Sequence, residues 1–141
     1  MKKKIQAISI LCMVVTIILM ALPYGVAMNF YGDGGPAVGE RFTSYHSYFS
    51  MMPIGYANWF PIITALLSIV ALTQLINRAI RNKNSNSTVI QPVLACPIIS
   101  IITSLFSWMI FGTFTAVGLI ISILHVVTLA LQIVQKRSSS L

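Results

Sequence analysis

Few side chains in this sequence are capable of chemistry, and their positions decide which chemistry is open to them. The chain carries two histidines, two cysteines and two acidic residues. His125 lies near the middle of a long apolar run, and Thr16, Ser68 and Ser100 lie near the middle of three others. With Ser122 on the same helical stripe as His125, they form a candidate polar cluster at the centre of a bundle. An ionisable group at membrane depth points to a proton-titrating or ligand-contacting role by default. The same residues also serve as packing glue, with the imidazole bonded to a hydroxyl or a carbonyl. Neither acid, Asp33 or Glu40, falls in an apolar run, so the histidine lacks the carboxylate partner a proton-coupled transporter needs. This favours the packing role.

The remaining candidates carry less. Cys12 and Cys96 form no CxxC pair and have no His or Cys at metal-ligand spacing. They lie at similar depth and read as small buried hydrophobes. Val93-Leu94-Ala95-Cys96 looks like a lipidation box, but it is internal. Gly32-Asp33-Gly34-Gly35-Pro36 reads as a turn rather than a phosphate loop. No nucleophile–base pair, paired carboxylates or metal signature appears. The expectation is a protein that is not an enzyme, with no catalytic, cofactor-binding or metal-binding residues.

Composition sets the class. Of 141 residues, 57% are hydrophobic and 8% are charged, against roughly a quarter charged in soluble domains. Two acidic residues cannot decorate a solvated surface, and the hydrophobicity excludes a disordered chain. The formal net charge of +7 sits in short clusters beside apolar runs. These clusters mark topology and anionic-lipid contact rather than nucleic-acid binding.

Hydropathy divides the chain into runs at 5–28, 57–80, 91–111 and 114–134. Each reaches the roughly 20 residues that cross a bilayer as a helix. Lys2, Lys3 and Lys4 precede the first run. Arg78, Arg81 and Lys83 follow the second, and Lys136 and Arg137 follow the fourth. Arg41 alone falls on the other side. The positive-inside rule then places both termini in the cytoplasm. The expected fold is an all-α integral membrane protein, an antiparallel four-helix transmembrane bundle of one domain. An outer loop spans 29–56, a cytoplasmic loop spans 81–90, and a tight outer turn lies at Gly112-Thr113. The first run resembles a secretory signal, with Gly25-Val26-Ala27 after Pro23, but its apolar stretch exceeds the usual 7–15 residues, which favours retention.

Residues every three or four positions form one small-and-polar seam per helix. These are Gln6, Ser9, Met13, Thr16, Met20 and Pro23; Pro61, Ala65, Ser68, Ala71 or Leu72, and Leu75; Cys96, Ser100, Thr103 or Ser104, and Ser107; and Thr115, Gly118, Ser122, His125, Leu129 and Gln132. Small residues let helix backbones approach, and hydroxyls bond across helices. Trp59 and Phe60 mark the outer interface, with Tyr24 and Trp108 near the same level. Ser87 or Thr88 is positioned to cap the third helix, Pro92 falls in its first turn, and Pro97 should bend it. Residues 82–87 (NKNSNS) read as a polar linker.

In the outer loop, 29–40 is Gly-rich, and 41–50 is aromatic and β-prone. That second half either lies on the bilayer and caps the bundle, or forms a recognition surface in which Tyr45, His46, Tyr48 and Phe49 meet a partner. The loop pattern is similar to that of tetraspan junction proteins, whose outer Trp and disulfide signature is absent here. Small multidrug exporters also have four helices, but they depend on a membrane-embedded glutamate that this chain lacks.

The expected function is therefore a non-enzymatic accessory, interaction or protective membrane subunit. The alternative is a small oligomeric transporter or channel with His125 lining the path. Expected partners are the lipid bilayer and a second copy or another membrane protein, with no nucleic acid and no cofactor. Abundant isoleucine and the lysine run suggest a bacterial plasma membrane.

Overall fold

The computed structural model describes residues 2–31, 41–55, 57–81, 90–111 and 115–140. It is mostly helical. Helix α1 (Lys2–Ala21) is followed by strands β1 (Val26–Tyr31) and β2 (Arg41–His46), a short helix α2 (Met52–Gly55), and the long helices α3 (Phe60–Arg81), α4 (Ile90–Phe111) and α5 (Ala116–Ser140). Three stretches are long and apolar enough to cross a membrane: Lys3–Ala21, Phe60–Ile80 and Ala116–Gln135. Within α4 the described apolar stretch is the shorter Pro97–Phe106.

The first apolar run does not stay helical to Met28. α1 stops at Ala21, because a residue before proline is pushed out of helical geometry and Pro23 follows Leu22. The chain turns at Gly25 and leaves as β1, which pairs antiparallel with β2 in the register Val26↔His46 through Tyr31↔Arg41. The β-prone aromatic segment thus finds its partner strand in the end of the first hydrophobic run. At the other end of the chain, α5 continues past Val134 to Ser140. The Gly112-Thr113 turn, the polar linker, both acids, the Ser87 or Thr88 cap and the Cys96 side chain lie outside the described residues.

The long helices form a ring in which each packs against two others: α1 against α3 and α5, and α4 against α3 and α5. α3 and α5 therefore face each other across the diagonal. Phe60 of α3 stacks on Phe106 of α4, and the later Thr64 meets the earlier Thr103, so those two run antiparallel. Ser68 of α3 meets His125 of α5, and the later Arg78 meets the later Gln132 at 3.3 Å, so α3 and α5 run parallel. The hairpin covers one end of this ring, and Lys3, Lys4 and Arg78 mark the other.

The ring is inverted relative to a water-soluble bundle. Its buried positions include Ser9, Thr16, Thr64, Ser68, Ser100, Thr103, His125, Thr128 and Gln132. Its exposed positions include Leu11, Ile18, Leu66, Val70, Ile102, Ile123 and Val126. Hydroxyls and small side chains face inward and branched aliphatics face outward, which suits hydrocarbon as the surrounding solvent. Two apolar clusters complete the core. Met13, Ala71 and Leu75 form one toward the basic end. Met20, Val26, Met28, Tyr48, Ala65 and Ile121 form the other beneath the hairpin.

Candidate functional site

His125 is fully buried at the middle of the ring. Its Nδ1 lies 3.0 Å from the carbonyl of Ile121, one turn earlier on α5. A carbonyl only accepts, so Nδ1 carries the proton and donates it there. Nε2 is then left to accept from the Ser68 hydroxyl, 2.9 Å away on α3. The Ser68 hydroxyl is also 2.7 Å from the carbonyl of Thr64, so its one proton faces two acceptors. The contact joins the two helices that face each other across the diagonal, as Arg78 and Gln132 do toward the basic end.

Apolar side chains flank this contact on both sides along the ring. Ala71 and Leu75 follow Ser68 by three and seven residues, placing them about 4.5 and 10.5 Å further along α3, and they pack on Met13 of α1. On the hairpin side, Ala65 and Ile121 pack with Met20. The histidine thus sits between two methionine-containing layers. The amides Gln74 and Gln132 lie at about the level of Leu75, six and seven residues beyond Ser68 and His125, and Gln6 lies nearer the basic end of α1. Gln132 Oε1 accepts from Arg78, while Gln6 Nε2, Gln74 Oε1 and Gln132 Nε2 have no partner among the described residues.

The other members of the expected polar cluster are not drawn into one network. Thr16 is buried at the same level, but its hydroxyl donates to the carbonyl of Cys12 at 2.8 Å. Ser122 pairs with Ser104 of α4 at 2.9 Å, one turn nearer the hairpin. Ser100 is fully buried, and its hydroxyl has no partner among the described residues. Thr64 and Thr103, which join α3 to α4 through a short hydroxyl–hydroxyl contact, were not among the expected members. Their signal was their place one turn from Ser68 and Ser100 on the same seams.

At the hairpin end the residues of the expected recognition surface differ in exposure. Tyr45 is 51% exposed and stacks obliquely on Tyr24, with ring centroids 6.3 Å apart. His46 is half-buried, with Nε2 3.0 Å from the Ser44 hydroxyl. Tyr48 is 5% exposed, and Phe49 packs partly buried against the same core cluster. Tyr48 belongs to the core because its N–H donates to the carbonyl of Met20 at the end of α1, which turns the ring inward. Burial pushes its phenol above the usual tyrosine range, and a hydrogen bond with Ser104 acts in the opposite direction.

Thr115 performs two tasks that spacing alone did not single out. Its hydroxyl oxygen accepts from the N–H of Gly118 at 2.9 Å, capping α5. Its hydroxyl proton goes to the carbonyl of Gly25 at 2.8 Å, pinning the turn between α1 and β1. No cluster of three metal-ligating side chains occurs among the described residues. The chain matches no known protein family, no curated protein and no solved structure.

Proposed function

We propose that this chain is a four-span integral protein of a bacterial plasma membrane, with both termini cytoplasmic and the hairpin outside. In this reading it acts without catalysis, as an accessory, interaction or protective subunit. Orientation rests on the basic residues. Lys3 and Lys4 stand in the first turn of α1, where the positive end of the helix dipole disfavours cations. They serve orientation at some cost to the helix. α4 is taken as the fourth span because it is as long as α3, 22 residues in each case, and packs between two membrane-length helices.

One observation carries the non-transport reading. The His125–Ser68 contact is fully buried, with the apolar Met20, Ala65 and Ile121 toward the hairpin and Met13, Ala71 and Leu75 toward the basic end. The ionisable group at the centre is used to hold helices together. The exposed aromatics at the hairpin end, Tyr24, Tyr45 and Trp59, remain as the groups able to meet a partner outside the membrane.

The test is thiol labelling in membranes of His125→Cys, with Cys12 and Cys96 replaced by alanine. Protection from a water-soluble reagent is expected, with Tyr45→Cys labelled as the control. Labelling at position 125 would replace this reading with a small oligomeric transporter or channel lined by that residue. Partner capture is tested separately by cross-linking in cells with Tyr45→Ser/His46→Ser, which should lose a cross-linked species that the parent forms.

A further inference from the structure

A cavity of about 270 Å³ lies between α4 and α5 at the hairpin end, apart from His125. Leu105, Trp108 and Leu119 line its mouth, and Ser122, Gly25 and Tyr48 line its inner wall. The three mouth residues are each about half exposed (46, 50 and 46%), so it opens sideways through the apolar surface of the ring.

Its hydroxyls are already engaged with one another or with backbone. Ser104 and Ser122 pair at 2.9 Å, Ser122 donates to the carbonyl of Gly118 at 3.0 Å, and Thr115 donates to Gly25. Tyr48 bonds with Ser104. A polar guest would find these donors spent, and water would face walls that are mostly carbon. Apolar cavities of about 150 Å³ stay dry yet take up benzene. This one is larger, and left empty it would forfeit the dispersion contacts of its lining.

We propose that this cavity holds one hydrocarbon chain of a bilayer lipid, entering sideways between α4 and α5. The proposal rests on the membrane reading above, because the mouth then opens onto the acyl region of the outer leaflet. Trp108 lies at the mouth as an interfacial aromatic, which leaves the lipid headgroup outside. Gly25, Val26 and Tyr48 touch the cavity and also begin or brace the hairpin. Occupancy by a lipid chain therefore bears directly on how the hairpin is held.

The experiment uses the full chain in phosphatidylcholine vesicles containing a lipid with a photoactivatable diazirine on one acyl chain, with adducts mapped by peptide mass spectrometry. Adducts are expected on Tyr48 and Ser122 as well as on the outward Leu66 and Val70 of α3. Leu105→Trp, a change at an exposed position that fills the mouth, should lower the Tyr48 and Ser122 adducts several-fold and leave those on α3 unchanged. Absence of Tyr48 and Ser122 adducts, or their persistence in Leu105→Trp, overturns the proposal. So does labelling of Tyr48 by a free apolar diazirine but not by the lipid. Failure of the membrane reading has a different signature: Leu66 and Val70 would also stay unlabelled, and alkaline carbonate would extract the chain from membranes.

Discussion

Gly25 and Tyr48 share one slot: a Cβ on Gly25 would lie 2.6 Å from Cδ2 and 2.8 Å from Cε2 of the Tyr48 ring. Tyr48 is buried and its N–H is tied to Met20, so an added Cβ would have to push the ring off its backbone anchor toward the cavity it lines. The glycine is required for space. Through it the end of α1, the start of β1 and the exit from β2 converge on one point.

Gly25→Ala is therefore expected to destabilise the protein by about 1–3 kcal/mol, the usual range for overpacking. Thermal unfolding in detergent measures this. In a Tyr48→Ala background the same substitution should cost much less, since the clashing atoms are gone. Equal costs in both backgrounds would show that the ring is not what constrains Gly25.

Thr115 both caps α5 and holds the Gly25 carbonyl. Thr115→Val, which keeps the shape and loses the hydroxyl, should destabilise by about 1–2 kcal/mol. Thr115→Ser should retain most of the parent's stability. A Thr115→Val protein that melts with the parent would show that the cap and the pin contribute nothing measurable.

Ala57 has a φ of 61°, in the left-handed region that residues with a Cβ rarely occupy. It joins α2 to α3, with its N–H bonded to the carbonyl of Ile54. Ala57→Gly removes the steric penalty and should raise stability by up to about 1 kcal/mol. Destabilisation of that size would mean the strain is outweighed by the entropy of the freer unfolded chain.

The His125–Ser68 contact should show energetic coupling in a double-mutant cycle built from His125→Ala and Ser68→Ala. Interhelical hydrogen bonds in membrane proteins couple by about 0.6 kcal/mol on average. Both single variants should lower protein abundance while activity per molecule, or partner capture, holds. Loss of that activity at unchanged abundance would restore a functional role for the histidine.

Tyr48 makes a prediction about alkaline pH. Burial raises its phenol above the ordinary value near 10, so the fold favours the protonated form. The associated stability is fully present below the unfolded pKa. It declines as pH rises beyond that value and is lost once the folded pKa is passed. Ultraviolet titration in detergent should show a tyrosine ionising above the ordinary value, and Tyr48→Phe should remove that late step.

Much of the architecture was written in local pattern. The apolar runs are long, acids are missing from them, and small and polar residues recur every three or four positions. These features depend only on helix period and bilayer thickness, and the inward positions of Ser9, Thr16, Ser68, His125 and Gln132 follow that period. Local pattern marks a break at Pro23 and Gly25, but it could not say that the chain beyond them becomes a strand: the conversion of Val26–Tyr31 depends on pairing with Arg41–His46. Nor could it separate Tyr45 from Tyr48. Both are aromatics in one β-prone segment, yet one is exposed and the other fills the slot beside Gly25.

The same division holds at the centre of the ring. The sequence by itself determined that His125 would lie deep among hydroxyls, because its position along an apolar helix sets its depth. Only the tertiary structure decided that Ser68, across the diagonal, is its partner, while Thr16 bonds within its own helix and Ser122 turns to Ser104. Depth is a property of one helix and its solvent. Partnership depends on how four helices are rotated against one another, and that is settled by the packing of all of them together.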